Sequence, residues 1–380
     1  MTIRAVGQSV HVCSAGLENR RPIKALWAHG HALVRLALLA FVGALPAVAL
    51  SIQPERPGQE SFLTRAVYAE GRLWVLSDAG DVSSVTEGQN KRIEEVLPGK
   101  AIDLCVSKGH PVVVTSDSKG NSVWTLRQHA GNAWPVVASV RTESDDLLAM
   151  TCAAGTVALL TTRRLVEFDG KQQNALHLSG ALGRGLVSAT YTTSDQFLVG
   201  LNAGEWGGGL QRIDRRTGKI SHVERNASGD LCGGPLNTSC DPVNGVVAEP
   251  GRPGCLGVAV GLVHMVPHGR VVEVCGDRVQ RLFYKPYRES RSRAVGKDDE
   301  PGSTVAFFGL ASDGDRMRAV GIDGIYTFEP EGDVRVMPLP QFKNVGGISV
   351  SFDMPNFVLV LTNVNQRLSV SGAVPLMVPR

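Results

Sequence analysis

The chain has 380 residues, 43% of them hydrophobic and 20% charged. That composition excludes a disordered chain and is within reach of a single large all-β domain. Gly is abundant, at 43 residues, as in chains made of many tight turns.

The first fifty residues differ from the rest. Arg20, Arg21, Lys24 and Arg35 precede an uncharged apolar run from Leu36 to Leu50, which closes on Ala47-Val48-Ala49. A basic stretch, a short apolar run and an A-x-A end are the parts of a secretory signal peptide. The run is shorter than the roughly 20 residues that cross a bilayer. Residues 1–49 are therefore read as a leader and 50–61 as a linker. The alternatives are an uncleaved anchor, which alone would attach the protein to a membrane, and a buried helix. Removing 1–49 takes away five basic residues and one acidic residue, so the formal net charge of +3 becomes −1. The basic balance belongs to the leader, and nucleic acid is not an expected partner.

From residue 62 onward one pattern recurs. A short strand, a polar or Gly-containing turn and a strongly apolar strand appear seven times, at 66–78, 103–117, 149–162, 189–202, 245–261, 308–323 and 349–363. A second hairpin follows, for example at 122–140, 210–225 and 325–339. About four strands per unit, with units of about 35 to 60 residues, are the signature of propeller blades. One four-stranded sheet cannot bury both faces alone, but blades packed around an axis can. The expectation is an all-β chain: a single seven-bladed β-propeller over 62–380. A pair of β-sandwiches or a β-helix are the alternative all-β folds.

One turn carries a family resemblance. Residues 214–219, DRRTGK, resemble the D-x-x-T-G-K signature of quinoprotein-type propeller repeats. In such a turn Asp bonds the following backbone N–H groups and Gly takes the positive φ. The resemblance extends to YVTN- and NHL-like repeat proteins as a superfamily and implies the fold, not an activity. Neither an adjacent Cys pair nor the combined Gly-His and Trp-Asp markers of WD repeats are present, since no Trp is followed by Asp.

Function sits where a regular scaffold is elaborated. The loop from the second to the third strand of unit four, 202–209, contains Asn202, Glu205, Trp206 and four Gly. It offers a stacking face and room for close backbone approach; the alternative is a wide hairpin whose Trp covers the blade edge. The next link, 226–244, ends at Asn244 and contains Cys232 and Cys240, whose pairing would close a small loop. Cys255 and Cys275 then pair by elimination. Cys105 and Cys152 either bridge two blades near the channel or stay as small buried thiols; the thiol reading is preferred because inner strands of different blades are often too far apart to bridge. Six cysteines in an exported chain fit disulfides, and their spacing is not that of a zinc site.

His264 and His268 flank a turn in unit five and count, with Asn202, Glu205, Trp206 and Asn244, among the candidate partner-binding residues; the alternative is a surface or capping role, and no evident carboxylate completes a metal site. The link 285–300 is basic, then acidic. It reads as a solvated loop or as an arm whose Arg288, Arg291 and Arg293 grip an acidic partner. No catalytic set, metal or cofactor is read from the sequence, and G-x-S-x-G is absent. The expected function is an exported, periplasmic or secreted binding scaffold that presents the loops of blades four to six to a protein, peptide or glycan. The alternative is a propeller enzyme, a lactonase, lyase or hydrolase, with its site at the channel mouth.

Overall fold

The computed structural model describes residues 63–89, 91–116, 122–225, 232–287, 303–340, 348–361 and 376–380. The expected leader and linker lie outside them.

The described residues form seven antiparallel sheets. Blade 1 holds β1 (Leu63–Ala69), β2 (Arg72–Ser77), β3 (Val82–Thr86) and β4 (Arg92–Glu94). Blade 2 holds β5 (Lys100–Ser107), β6 (His110–Ser116), β7 (Val123–Gln128) and β8 (Val136–Arg141). Blade 3 holds β9 (Leu147–Ala153), β10 (Thr156–Thr161), β11 (Arg164–Phe168) and β12 (Gln173–His177). Blade 4 holds β13 (Leu186–Thr192), β14 (Gln196–Asn202), β15 (Gly208–Asp214) and β16 (Ile220–Val223). Blade 5 holds β17 (Val243–Ala248), β18 (Cys255–His264), β19 (Val266–Cys275) and β20 (Arg278–Phe283). Blade 6 holds β21 (Phe307–Asp313), β22 (Arg316–Gly321), β23 (Gly324–Phe328) and β24 (Val334–Pro338). Blade 7, among the described residues, holds β25 (Ser349–Ser351), β26 (Phe357–Leu361) and β27 (Leu376–Pro379). The first strand of each blade touches the first strand of the next, and β1 touches β25. This is a seven-bladed β-propeller.

The second strand of each blade is largely apolar because both of its faces are covered. On β2, Trp74 and Leu76 join a cluster with blade 2, while Val75 joins Leu359 and Leu361 of blade 7. On β6, Val113 faces blade 1, while Val112 and Val114 face blade 3. On β10, Val157 and Leu159 face blade 2, while Ala158 and Leu160 face blade 4. One apolar cluster thus fills each seam of the ring, the closing one between blades 7 and 1 included. Truncating a residue such as Leu159, which is fully buried, to Ala costs about 2–5 kcal/mol.

Three disulfides form among the described residues, and one of them joins two blades. Cys232–Cys240 and Cys255–Cys275 pair as expected, with Cα atoms 5.2 Å and 4.3 Å apart. Cys105 and Cys152 correct the expectation of buried thiols. They form a third disulfide between the inner strands of blades 2 and 3, whose Cα atoms lie 5.8 Å apart. Inner strands converge on the axis, so this pair falls within bridging distance. Three disulfides are compatible with an oxidising compartment.

The 214–219 turn joins β15 to β16. Asp214 Oδ1 accepts from the N–H of Arg216 and Thr217 at 2.9 Å and 2.7 Å, and from Thr217 Oγ1 at 2.9 Å. The turn also locks blade 4 to blade 3. Gly218 O accepts from Ser179 N at 2.9 Å, and a Cβ on Gly218 would run into the His177 carbonyl. With φ at +73° as well, no other residue fits. Gly218→Ala should lower unfolding stability by about 1–3 kcal/mol, measured by denaturant titration, whereas an unchanged midpoint would mean the turn is not a constraint.

Candidate functional site

In each blade the loop from second to third strand and the link to the next blade share one rim of the ring. Among the described residues this rim is the most elaborated at blades 4 and 5. β14 and β15 are joined by a single 3-10 turn, Gly204–Trp206. β18 and β19 are ten residues each and turn on Met265 alone, which has φ +62°. The hairpin therefore extends beyond its neighbours.

Trp206 is 70% exposed and Met265 is 93% exposed, with Val263 and Val266 open beside it. Trp206 does not cover the blade edge. The two loops are joined by an ion-pair contact, His264 Nδ1 to Glu205 Oε2 at 3.1 Å. Sequence reading saw no carboxylate near His264, because Glu205 is far away in the chain and reaches it only through blade packing.

The glycines of 202–209 serve the chain's own link. A Cβ on Gly207 would meet the backbone of Thr238, Ser239 and Cys240, and one on Gly209 would meet Thr238. Gly208 N donates to Thr238 O at 3.0 Å and Gly209 N donates to Asp241 O at 2.8 Å. The link is fastened from the other side by Arg270, which is fully buried. Arg270 Nη2 lies 2.5 Å from Asp241 Oδ2 and its Nε donates to Pro235 O at 2.7 Å. Asp241 Oδ2 also accepts from Asn237 N at 2.6 Å. A buried ion pair with this many partners specifies one geometry, although its net contribution to stability is small. The Cys232–Cys240 disulfide closes the same link.

Asn202 and Asn244 sit beneath these loops. Asn202 Nδ2 donates to Asn244 Oδ1 at 2.7 Å. Asn244 Nδ2 donates to Gly261 O at 2.7 Å and to Phe307 O at 2.9 Å. These amides tie blades 4, 5 and 6 together and hold the loops above them. His268 Nε2 lies 3.1 Å from Arg270 Nη1, so it braces the anchor rather than facing His264. Arg288, Arg291 and Arg293 lie outside the described residues. The flanks of that link pair with each other, Tyr287 N to Ser303 O at 3.0 Å, and rest on the blade-5 hairpin through Thr304 N to Pro267 O at 3.0 Å.

Two further constellations come from residues that sequence reading missed. The channel is a cavity of about 440 Å³ with a hydroxyl-rich wall that includes Thr151, Thr190, Ser312 and Ser351. Arg65 forks onto Asp103 at 2.9 Å and 3.2 Å, and Asp103 also accepts from Met150 N at 2.8 Å. Asp353 opens into the same lumen. Loss of hydration pushes its carboxyl up, against the opposing pull of Ser351, Arg65 and Arg380. On the other rim, Glu70 joins two histidines: His110 Nδ1 at 2.6 Å and His129 Nδ1 at 2.7 Å. His129 is buried against Trp74 and Trp134, with ring centroids 4.7 Å and 5.1 Å away. No group of three or more His, Cys, Asp or Glu able to hold a metal occurs among the described residues.

No protein-family model and no curated protein sequence matches the chain. Solved structures do match. A catalytically inactive variant of virginiamycin B lyase from Staphylococcus aureus, solved with quinupristin, is 11% identical, with a TM-score of 0.50; the match covers 81% of this chain and 94% of that one. The extracellular domain of the hybrid two-component system BT4673 from B. thetaiotaomicron is 12% identical, with a TM-score of 0.45. That match covers 80% of this chain but only 37% of that one. YCF48 from Cyanidioschyzon merolae is 10% identical over 79% of this chain and 92% of that one, with a TM-score of 0.49. At these identities the lyase likeness is one of fold alone, and the two looser ones add nothing to it.

The Glu70 cluster sets a pH dependence. Burial would raise the Glu70 carboxyl, but the hydrogen bonds and charge of His110 and His129 outweigh it and hold it below the usual range. A depressed folded value adds stability that is full above the ordinary carboxylate value of about 4.3 and is lost as pH falls through the folded value. The stability gap between wild type and Glu70→Gln should therefore shrink from about pH 5 down to about pH 3, measured by urea unfolding. A gap that stays constant over that window would contradict the arrangement.

Proposed function

We propose that this chain is an exported propeller that captures a protein or peptide partner on the rim formed by the loops of blades 4 and 5. Residues 1–49 would be the leader, 50–61 the linker and 62–380 the working domain. The carrying observation is the pair of open apolar side chains, Trp206 and Met265, on two loops joined by Glu205 and His264. Soluble surfaces rarely leave such groups open on two neighbouring loops without use, and Trp and Met are enriched in the desolvated centre of interfaces. The loops are also held in advance by Arg270–Asp241, by Cys232–Cys240 and by the Asn202–Asn244 amides. A surface ordered before binding loses less entropy when it binds. Apolar tips rather than hydroxyl-rich ones favour a polypeptide over a glycan. The three disulfides support export.

A second reading has one observation behind it. Asp353, with its raised carboxyl beside Arg65 in the lumen, has the character of an acid–base group in a cleft. The two readings separate by mutation. Trp206→Ala and Met265→Ser should each weaken partner capture from the native compartment about tenfold or more, with thermal midpoints unchanged because both side chains are solvent-facing. Asp353→Asn should leave capture intact. If Trp206→Ala unfolds the protein, or if capture follows Asp353 instead, the rim is not the site.

A further inference from the structure

The opposite rim carries a groove between blades 5 and 6 whose chemistry is different. Its volume is about 560 Å³, within the range of small-molecule sites. Leu282, Phe283, Phe328 and Val334 give it an apolar floor, and Phe283 and Phe328 stand edge to face at 5.4 Å. The 249–252 loop of blade 5 and two turns of blade 6 form its charged edge, with Glu249, Asp315 and Glu329 against one lining cation among the described residues, Arg252.

The pairing of these charges decides what the groove can take. Glu273, fully buried behind Arg252, contacts both Arg252 and Arg278, and accepts from Gln280 Nε2 at 2.7 Å. Glu329 is held by Arg316 at 2.9 Å and Arg335 at 3.2 Å. Four arginines are thus committed to two carboxylates. Asp315 shares Arg316 at 3.5 Å and stands largely in solvent. Glu249 keeps only a 3.4 Å contact from Oε1 to Arg252, although its side chain is 12% exposed. Its other oxygen, Oε2, is buried and has no hydrogen-bond partner. A buried acceptor without a donor is costly, and an incoming cation would supply the donor. Burial also pushes this carboxyl up, despite Arg252 and Arg278.

We propose that this groove binds a small organic cation, an ammonium or guanidinium head on an aromatic or apolar body. The head pairs with Glu249 and the body lies on Phe283 and Phe328. The two rings favour such a ligand, because its apolar body is removed from water against them and its desolvated head is attracted to the ring quadrupole. The site lies on the other rim from Trp206 and is independent of the partner reading.

The test uses the propeller with its disulfides intact and two probes of equal shape, 2-phenylethylamine and 2-phenylethanol, titrated by calorimetry at about pH 8. The amine should bind wild type about tenfold more tightly than the alcohol or better. Glu249→Gln should erase that preference and Phe328→Leu should weaken both probes, while Trp206→Ala changes neither. On wild type alone, amine binding should weaken as pH is lowered towards 5, and alcohol binding should not. This second measurement stands even if Glu249→Gln folds poorly. No saturable amine binding, equal binding of the two probes to wild type, or a preference that survives Glu249→Gln would each overturn the proposal.

Discussion

A four-stranded sheet with two apolar faces must be covered twice, and in this chain each blade is covered by its neighbours. The alternation on β2, β6 and β10 sends successive side chains to opposite seams. Every blade therefore depends on two others, and the last seam, where Ala66 and Val75 meet Leu359 and Leu361, makes the ring self-limiting. Among the described residues no strand is exchanged between the first and last blades. The described residues of blades 7 and 1 meet in apolar contact, and the Cys105–Cys152 disulfide adds a covalent tie between inner strands elsewhere in the ring.

That closed scaffold frees its rims to vary. At blades 4 and 5 the variation is stiffened rather than loose. The link of 232–241 is held on one side by the backbone of 207–209 and on the other by Arg270, and both contacts need the loop to be where it is. Trp206 and Met265 then stand on a braced platform instead of on free loops. The opposite rim is built differently. There the described charged residues are mostly spent on one another, while the buried Glu249 Oε2 has no hydrogen-bond partner.

Much of this was legible in the sequence because it depends on local pattern. The repeat, the blade boundaries, two of the three disulfides and the Asp214 turn all follow from spacing and residue type within a few positions. What was not legible depends on which blades touch. The glycines of 207–209 read equally well as a platform for a ligand, and only the fold shows that Thr238 and Ser239 occupy that space. Asn202 and Asn244 read as rim residues, yet their amides cross-brace three blades. Cys105 and Cys152 required the distance between two inner strands. Glu205, Asp353 and the Glu70–His110–His129 cluster carry no motif, since their partners come from other blades.

The central claim is that one rim, at blades 4 and 5, meets a polypeptide partner. Site-specific photo-cross-linking in the native compartment tests it most directly, with the photoreactive residue placed in turn at Trp206, Met265, Ser312 in the lumen and His222 on an outer strand. The account predicts a covalent adduct of one common mass at Trp206 and Met265 and none at Ser312 or His222. Adducts at Ser312 with none at Trp206, or equal adducts at all four positions, would contradict it.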